Sequence, residues 1–468
     1  PQFSPRFGFN YKPFDDENGS LQIRGGTGLF TGTPPYVWIS NQAGNNGVLF
    51  GDLNVRAVKD KNDNIISDGR PSLGFTGNMD TYKPAEGSAT RSDIAITDPD
   101  FKYPSLWKSN IAADYKFGDG WVATIELLYS KDINAIYHDN IGLYRTEQFV
   151  NDGGAGNARP YYNGYYSDRE GNQKAANHVV MLRNTSKGHS LYTTFQLQKN
   201  FVDGILKGLY LNGSYSFGQS RGVTDGTSSV ATSAWKYRAA LDGNAEEVGY
   251  TAGSFDGRLL LSASYTANWS KYAATSFGLI YQRYRPFRYS YCYNGDANGD
   301  SQFSNDLMYI PANFDEVKDH LLPGDFDSQE DAWKAMNAFI EQDPYLSKHR
   351  GEYAERNGAV APFANQLDLS VSHDIKIYQK NGRSHTLRFS FNIANFLNLL
   401  NRNWGVVQTT VLGNQQYQFL TIPKGQGPSA ANNYTLKYTM AKDLDETFKD
   451  NLNDVSRWQM QFGIKYIF

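Results

Sequence analysis

The chain of 468 residues carries 45 basic and 48 acidic side chains, a formal net charge of -3. This balance gives no electrostatic reason to expect nucleic acid as a partner. Aromatic residues make up 15% of the chain and glycine contributes 44 residues. Because the mean hydropathy is also negative, the composition argues against a helical protein and favours many strands joined by polar loops. The single cysteine, Cys292, excludes an intrachain disulfide and a cysteine-based metal cluster.

Apolar and polar residues alternate along several segments of the chain. In 189–201, Leu191, Phe195 and Leu197 share one parity, whereas Gln196 and Gln198 share the other. A period of two is typical of a strand with one apolar face. The same pattern predicts five antiparallel hairpins and a final strand, in chain order 4–14 with 20–30, 107–117 with 121–137, 189–201 with 209–217, 255–268 with 272–285, 363–378 with 385–399, and 458–468.

The connections alternate between short turns and long loops. The long loops cover approximately 31–106, 138–188, 222–254, 286–362 and 400–455. Short turns at one edge, long loops at the other and a single apolar face predict an all-β fold, a transmembrane β-barrel of the outer-membrane type. The alternative is a large soluble β-protein, such as a propeller or a lectin-like sandwich. His373 falls on the apolar parity, which fits the barrel only if this residue lies near a membrane interface.

The strand count predicts an incomplete barrel. About eleven strands are expected, whereas bacterial single-chain barrels have an even number. If the short turns are periplasmic and the long loops extracellular, the first strand runs inward and Pro1 lies at the extracellular end. We therefore expect this chain to be the C-terminal half of a barrel that was cut in an extracellular loop, where a break removes no ladder hydrogen bond.

Several stretches resemble one protein family. They are SPRFGFNY near the start, RGGTGLFTGTPPYVWISNQAGNNG at 24–47, YNGDANGDSQFSNDLMYIP at 293–311, PFANQLDLS at 362–370, FSFNIANFLNLLNRNWG at 389–405 and the final RWQMQFGIKYIF. In this order they resemble the C-terminal part of TonB-dependent outer-membrane receptors, in the Oar-like and SusC-like branch of the Bacteroidota.

The resemblance implies a barrel of ~22 strands in the outer membrane, with its lumen filled by an N-terminal plug. This chain would supply about half of those strands and lacks the plug and the TonB box. The missing N-terminal half is expected as a separate chain or as a lost segment, and the TonB complex would act through it.

The segment 296–306 resembles the first half of a calcium-binding loop. Oxygen-bearing side chains occur at Asp296, Asn298, Asp300, Gln302 and Asp306, and Gly299 can turn the backbone. Calcium prefers such ligands at alternate positions. The match is partial, because Leu307 takes the twelfth position, where a Glu or Asp is usual. The alternative is an ordinary exposed turn rich in Asn, Asp and Gly. If bound, Ca²⁺ would have a structural role.

Two other loop segments suggest contacts with partners. In 328–344, Ser328 can cap a helix whose apolar face is formed by Trp333, Met336, Phe339 and Ile340. This face is expected to pack on neighbouring loops, and docking of a surface lipoprotein is the less favoured alternative.

A second segment, 158–172, concentrates aromatic and basic side chains that suit a sugar or peptide, although tyrosines also stabilise long loops. Its candidate ligand-binding residues are Arg159, Tyr161, Tyr162, Tyr165 and Tyr166.

The sequence favours transport over catalysis. The seven histidines occur singly, and no HExxH motif is present. The leading hypothesis is energised uptake of a bulky nutrient, such as a glycan, a peptide or a chelate. The alternative is a non-transporting structural or assembly subunit of an outer-membrane complex built on the same barrel, and a passive porin is third.

Overall fold

Eleven long strands form the main sheet. The computed structural model describes residues 3–17, 19–46, 57–60, 64–68, 76–78, 80–81, 93–150, 159–166, 178–378, 384–412, 416–429, 434–440 and 446–468. The strands are β1 (Arg6–Asp16), β2 (Gly19–Thr31), β3 (Ser105–Phe117), β4 (Trp121–Asp132), β5 (Gly188–Asn200), β6 (Leu209–Gly222), β7 (Arg258–Ser270), β8 (Ala273–Tyr284), β9 (Ala364–Tyr378), β10 (Ser384–Ala394) and β11 (Gln459–Ile467).

Each long strand pairs antiparallel with its neighbours along the chain, so the spatial order is the chain order. The five predicted hairpins are confirmed as β1–β2, β3–β4, β5–β6, β7–β8 and β9–β10. Two predicted strands end earlier than expected. The strand β4 stops at Asp132 because the following amides of Ile133 and Asn134 turn to donate to Ser105 O. The strand β10 stops before Asn395, which adopts a left-handed backbone with φ of 52° and starts a short helix.

The pairing register keeps one kind of side chain on each face of the sheet. One row of directly paired residues contains Ile125, Phe195, Tyr215 and Leu259. The adjacent row, on the opposite face, contains Glu126, Thr194, Ser216 and Arg258. Because side chains alternate between faces along a strand, this register gives an apolar face and a polar face that continue across the sheet.

Short and long connections lie at opposite edges of the sheet. The hairpins close through short segments such as 118–120, 201–208 and 271–272, whereas the segments between hairpins are 32–104, 133–187, 223–257, 285–363 and 395–458. Since short and long connections alternate along an antiparallel sheet, all five long connections start and end at the same edge. We call this the long-loop edge and the opposite one the short-turn edge.

The long connections contain helices and small sheets. The helices are α1 (Tyr36–Gly44), α2 (Ala231–Lys236), α3 (Gln329–Gln342) and α4 (Phe396–Leu400), and the 3-10 turns are Phe314–Glu316, Leu346–Lys348 and Asp454–Ser456. The short strands are Val58–Lys59, Ile65–Ser67, Ile94–Thr97, Ala135–Asn140, Leu143–Val150, Arg159–Tyr165, Val179–Thr185, Gly249–Tyr250, Arg288–Tyr291, Tyr309–Ile310, Leu321–Leu322, Glu352–Tyr353, Ala359–Val360, Gln408–Thr410, Gln416–Tyr417, Leu420–Thr421, Leu436–Tyr438 and Phe448–Asp450.

Some of these short strands join different connections to one another. Val179–Thr185 pairs with Ala135–Asn140 and also with Ile94–Thr97, which precedes β3. Arg288–Tyr291 pairs with Gln416–Tyr417, which lies between β10 and β11. The long connections therefore pack against one another, and we call them together the loop assembly.

The predicted helix in 328–344 is confirmed as α3. The Ser328 hydroxyl accepts a hydrogen bond from the Asp331 amide at 3.1 Å, as expected of an N-cap. Met336, Phe339 and Ile340 are buried, and the half-buried Trp333 contacts the ring of Phe314. The apolar face of α3 thus packs on neighbouring loops and is not available as a docking surface for a lipoprotein.

Candidate functional site

The apolar face of the sheet exposes large hydrophobic side chains. Phe195, Leu197 and Phe462 have 46%, 44% and 64% of their surfaces exposed. A contiguous apolar surface of this kind marks contact with another apolar phase. The register places further large apolar side chains on this face, and they include Phe217, Leu279, Leu369 and Phe391.

The polar face carries hydrogen bonds and ion pairs between neighbouring strands. Arg24 donates to Asp114 at 2.8 Å and contacts Glu126 at 3.4 Å. Near the other side of the sheet, Arg388 makes two contacts of 2.6 and 2.8 Å with Asp374. Amide and hydroxyl pairs fill the space between these groups, for example Thr194 with Ser216, Gln196 with Asn212, Gln282 with Gln366 and Ser370 with Asn392. This face is built to contact water or polar solutes.

Aromatic side chains line the short-turn edge. The rings of Phe14, Tyr115, Phe117 and Trp121 contact one another in sequence, with centroid separations between 5.2 and 6.3 Å. Amphipathic aromatic rings favour the boundary between lipid and water. None of the helices in the described residues is both long enough and apolar enough to cross a membrane.

The family model of the outer membrane beta barrel domain matches residues 1–429. The chain belongs to this family. No curated protein matches the chain. Membership places the chain in the outer membrane as an integral protein, so the apolar face contacts lipid and the polar face lines the barrel interior. Among the described residues, β1 and β11 each pair on one side only, and the sheet is open.

The loop assembly of this outer-membrane barrel has its own hydrophobic core. Fully buried tyrosines from several connections meet there, including Tyr289, Tyr291 and Tyr417. The carboxylate of Asp343 accepts hydrogen bonds from the Tyr291 hydroxyl at 2.6 Å and from the Thr447 hydroxyl at 2.7 Å. One buried acid therefore links two long connections, 285–363 and 395–458.

The structure buries most of the predicted ligand-binding residues inside the loop assembly. Arg159, Tyr161, Tyr162 and Tyr165 are buried, and only Tyr166 is about half exposed. This placement favours the alternative reading of the 158–172 segment, in which these side chains stabilise the long loops. Ligand binding through the exposed Tyr166 stays a prediction.

Two of these residues form internal polar contacts. The Tyr162 hydroxyl donates to Asp242 at 2.8 Å, and burial together with that carboxylate raises the pKa of Tyr162. The Arg159 guanidinium lies 3.3 Å from the Asp306 carboxylate and over the ring of Tyr293. Arg159 therefore connects the tyrosine cluster with the segment that the sequence singled out for calcium.

The predicted calcium loop is compact and largely buried. Asn298, Asp300, Gln302 and Asp306 are buried, and Asp296 is partly buried. Gly299 has a φ of 81°, and a Cβ there would lie 2.2 Å from Tyr162 O, so the tight turn requires glycine.

Backbone amides donate hydrogen bonds to several of the carboxylate oxygens in this loop. The Asp296 carboxylate accepts from the Gly299 and Ser301 amides at 2.6 and 2.8 Å, and Asp300 accepts from the Gln302 amide at 2.8 Å. Burial raises the pKa of Asp300 well above its usual range, and the carboxylates of Asp306 and Asp296 add to this shift. Among the described residues, no three His, Cys, Asp or Glu side chains are grouped so that they could hold a metal ion. Calcium binding stays a prediction.

Sequence reasoning missed two buried arginines that attach the loops to the sheet. Arg356 donates to the carbonyls of Gly222 and Val223 at the end of β6. Arg238 donates to Val223 O at 3.3 Å and to Ala245 O at 3.1 Å. Burial, with the nearby positive charge of Arg356, lowers the pKa of Arg238 to about 10. Their partners are backbone carbonyls, which carry no residue signature, so no sequence signal could have identified these contacts.

Proposed function

We propose that this chain is part of an energised outer-membrane receptor that takes up a bulky nutrient. The loop assembly carries the proposal, because the five long connections at one edge of a polar-lined sheet pack into buried hydrophobic clusters. One cluster joins 133–187, 285–363 and 395–458, and another joins 32–104, 133–187 and 223–257. A packed loop assembly at the mouth of the barrel would be able to bind a solute before the solute passes through the barrel. We propose that this edge is extracellular and that a TonB complex and a plug supply the energised gate.

We propose that further strands complete the barrel. The outer strands β1 and β11 each have one unpaired side among the described residues. In lipid each unsatisfied backbone group costs several kcal/mol, so both edges need partner strands. About eleven more strands would give the ~22 of the plugged transporters, supplied by an N-terminal half together with its plug.

The alternative is a structural or assembly subunit on the same barrel. The burial of Arg159, Tyr161, Tyr162 and Tyr165 supports it, because these side chains serve the loop core and leave little ligand-binding surface in that segment. A surface lipoprotein is a further proposed partner in either case. The calcium ion at 296–306 would be structural.

Sequencing of the polypeptide that co-purifies with this chain in mild detergent separates the two functions. A partner that carries a plug and a TonB box supports energised uptake. A partner whose plug lacks the box and cannot be displaced from the lumen supports the structural role. Release of this chain as a complete barrel by itself would contradict the proposed N-terminal half.

A further inference from the structure

A pocket of about 350 Å³ lies on the polar face near the long-loop edge. It extends from β1 across to β5. The side chains that project into it by register include Arg6, Phe30, Lys108, Leu128, Ser130 and Tyr192. The pocket thus combines two cations with apolar, aromatic and hydroxyl groups.

The two cations flank a single aromatic ring. The Arg6 guanidinium lies 4.4 Å from the centroid of the Phe30 ring, and Lys108 Nζ lies 5.9 Å from the same centroid. Within the described part of the chain, neither Arg6 nor Lys108 forms an ion pair with a carboxylate. Arg24 and Arg388, deeper on the same face, are both paired with aspartates. Positive charge is therefore left uncompensated at this pocket.

The pocket also interrupts the polar character of its face. Leu128 belongs to the polar parity of β4, yet 44% of its surface is exposed. Beside it, Tyr192 stacks on Phe255 of the connection 223–257 with a centroid separation of 4.6 Å. An apolar surface next to two cations that lack an ion pair suits a ligand with an anionic group and an apolar body. A small inorganic anion would leave Leu128 without a contact.

A second pocket on the polar face provides a contrast. It has a volume of about 420 Å³ and is lined by Ser262, Ser370 and Asn392 together with the acidic Asp368. Among the described residues that line it, none is a lysine or an arginine. The cationic lining of the first pocket is therefore not shared by this second pocket on the same face.

We propose that the pocket around Arg6, Phe30 and Lys108 binds solutes that carry a carboxylate next to an aromatic or apolar body. It would be a site in the barrel interior beneath the loop assembly, where Arg6 and Lys108 contact the carboxylate and Phe30, Leu128 and Tyr192 contact the body. This inference rests on the proposed function to the extent that the solute enters the interior.

Calorimetry with two matched probes tests the site on the full protein, with its co-purifying partner, in mild detergent. The probes are N-acetylphenylalanine, which is a carboxylate, and N-acetylphenylalaninamide, which is neutral. We expect the carboxylate to bind about tenfold more tightly, as two charge-assisted contacts imply. Its affinity should fall as salt is raised.

The double variant Arg6→Gln with Lys108→Gln should remove the preference for the carboxylate. The matched control is Arg258→Gln, because Arg258 is a polar-face cation that contacts Gln282 but lies outside the pocket. The single variant Lys108→Gln, at an exposed position, tests the same point if the double variant folds poorly. Equal affinity for both probes, no binding of either probe, or equal loss in Arg258→Gln would overturn the proposal.

Labelling of Ser130→Cys tests separately whether the pocket binds the probe and whether the polar face lines a water-accessible barrel interior. The native Cys292 is fully buried, so its background is low. A water-soluble maleimide should label Ser130→Cys in membranes and should not label Leu127→Cys on the apolar face. Labelling without probe binding overturns the pocket alone, whereas equal labelling of both positions contradicts the interior on which the proposed function depends.

Discussion

His373 Nδ1 lies 2.9 Å from Thr275 Oγ1 across the β8–β9 pair, and the same hydroxyl accepts from the Trp269 indole at 2.8 Å. These three polar groups lie next to the turn at 271–272, on the apolar face. The histidine that conflicted with the apolar pattern is thus near the short-turn edge, where a barrel meets the membrane interface.

His373→Arg should therefore be well tolerated. Near an interface, a lipid-facing arginine costs about 0–1 kcal/mol, because its charged group can reach water. The free energy of unfolding in lipid vesicles, measured by denaturant titration, checks this value. A cost as large as that of an arginine at the middle of the sheet would mean that His373 lies deep in the membrane.

Leu279→Arg should be far more costly. Leu279 is near the middle of β8 on the apolar face and is 40% exposed, so the substitution should lower the free energy of unfolding by roughly 2–4 kcal/mol. Ser214→Arg on the polar face of β6 is the control and should cost much less. Equal tolerance of the two arginines, in the same titration, would contradict the assignment of the faces.

The sheet could be predicted from the sequence because a two-residue period is local information. Leu197 and Gln196 take opposite faces whatever the rest of the chain does. The loops differ, since Tyr162 and Arg159 look like ligand-binding groups in the sequence and become interior groups only when Asp242 and Asp306 approach from far along the chain. The left-handed turn at Asn395 depends likewise on Gly405 O and Ser456 O, which accept from its side chain.

Asp343→Ala should loosen the loop assembly while leaving the sheet intact. The substitution removes the acceptor of Tyr291 and Thr447 and of two backbone amides, and each buried donor left unpaired costs about 1–3 kcal/mol. Hydrogen exchange should rise in 285–363 and 446–450. The control is Asp315→Ala, whose exposed ion pair with Lys318 contributes little. Unchanged exchange in Asp343→Ala would show that this acid is not an organising contact.

Asp300→Asn should stabilise the loop assembly at neutral pH when calcium is removed with EDTA. The pKa of Asp300 is raised in the folded state by burial and by Asp306 and Asp296. An acid whose folded pKa is raised destabilises the fold increasingly as pH rises from its unfolded value of about 3.9 through the folded value. The gain from Asp300→Asn should thus be largest above that range and vanish near pH 3. Thermal unfolding at a series of pH values measures it, and a gain that does not depend on pH would exclude the charge of Asp300 as its cause.

If the 296–306 loop binds calcium, the ion should make the native protein more stable to heat than Asp300→Asn, the reverse of the order expected in EDTA. A divalent cation compensates the charges of Asp296, Asp300 and Asp306 and stabilises the folded state in proportion to its occupancy. Addition of Ca²⁺ after EDTA should therefore raise the thermal midpoint of the native protein and leave Asp300→Asn nearly unchanged. Asp315→Ala is the control, because Asp315 is exposed and pairs with Lys318 outside the loop, and it should respond like the native protein. If the native protein and Asp300→Asn respond equally to Ca²⁺, the ion binds elsewhere. The loop is then stabilised by the hydrogen bonds from backbone amides to its buried carboxylates, without an ion.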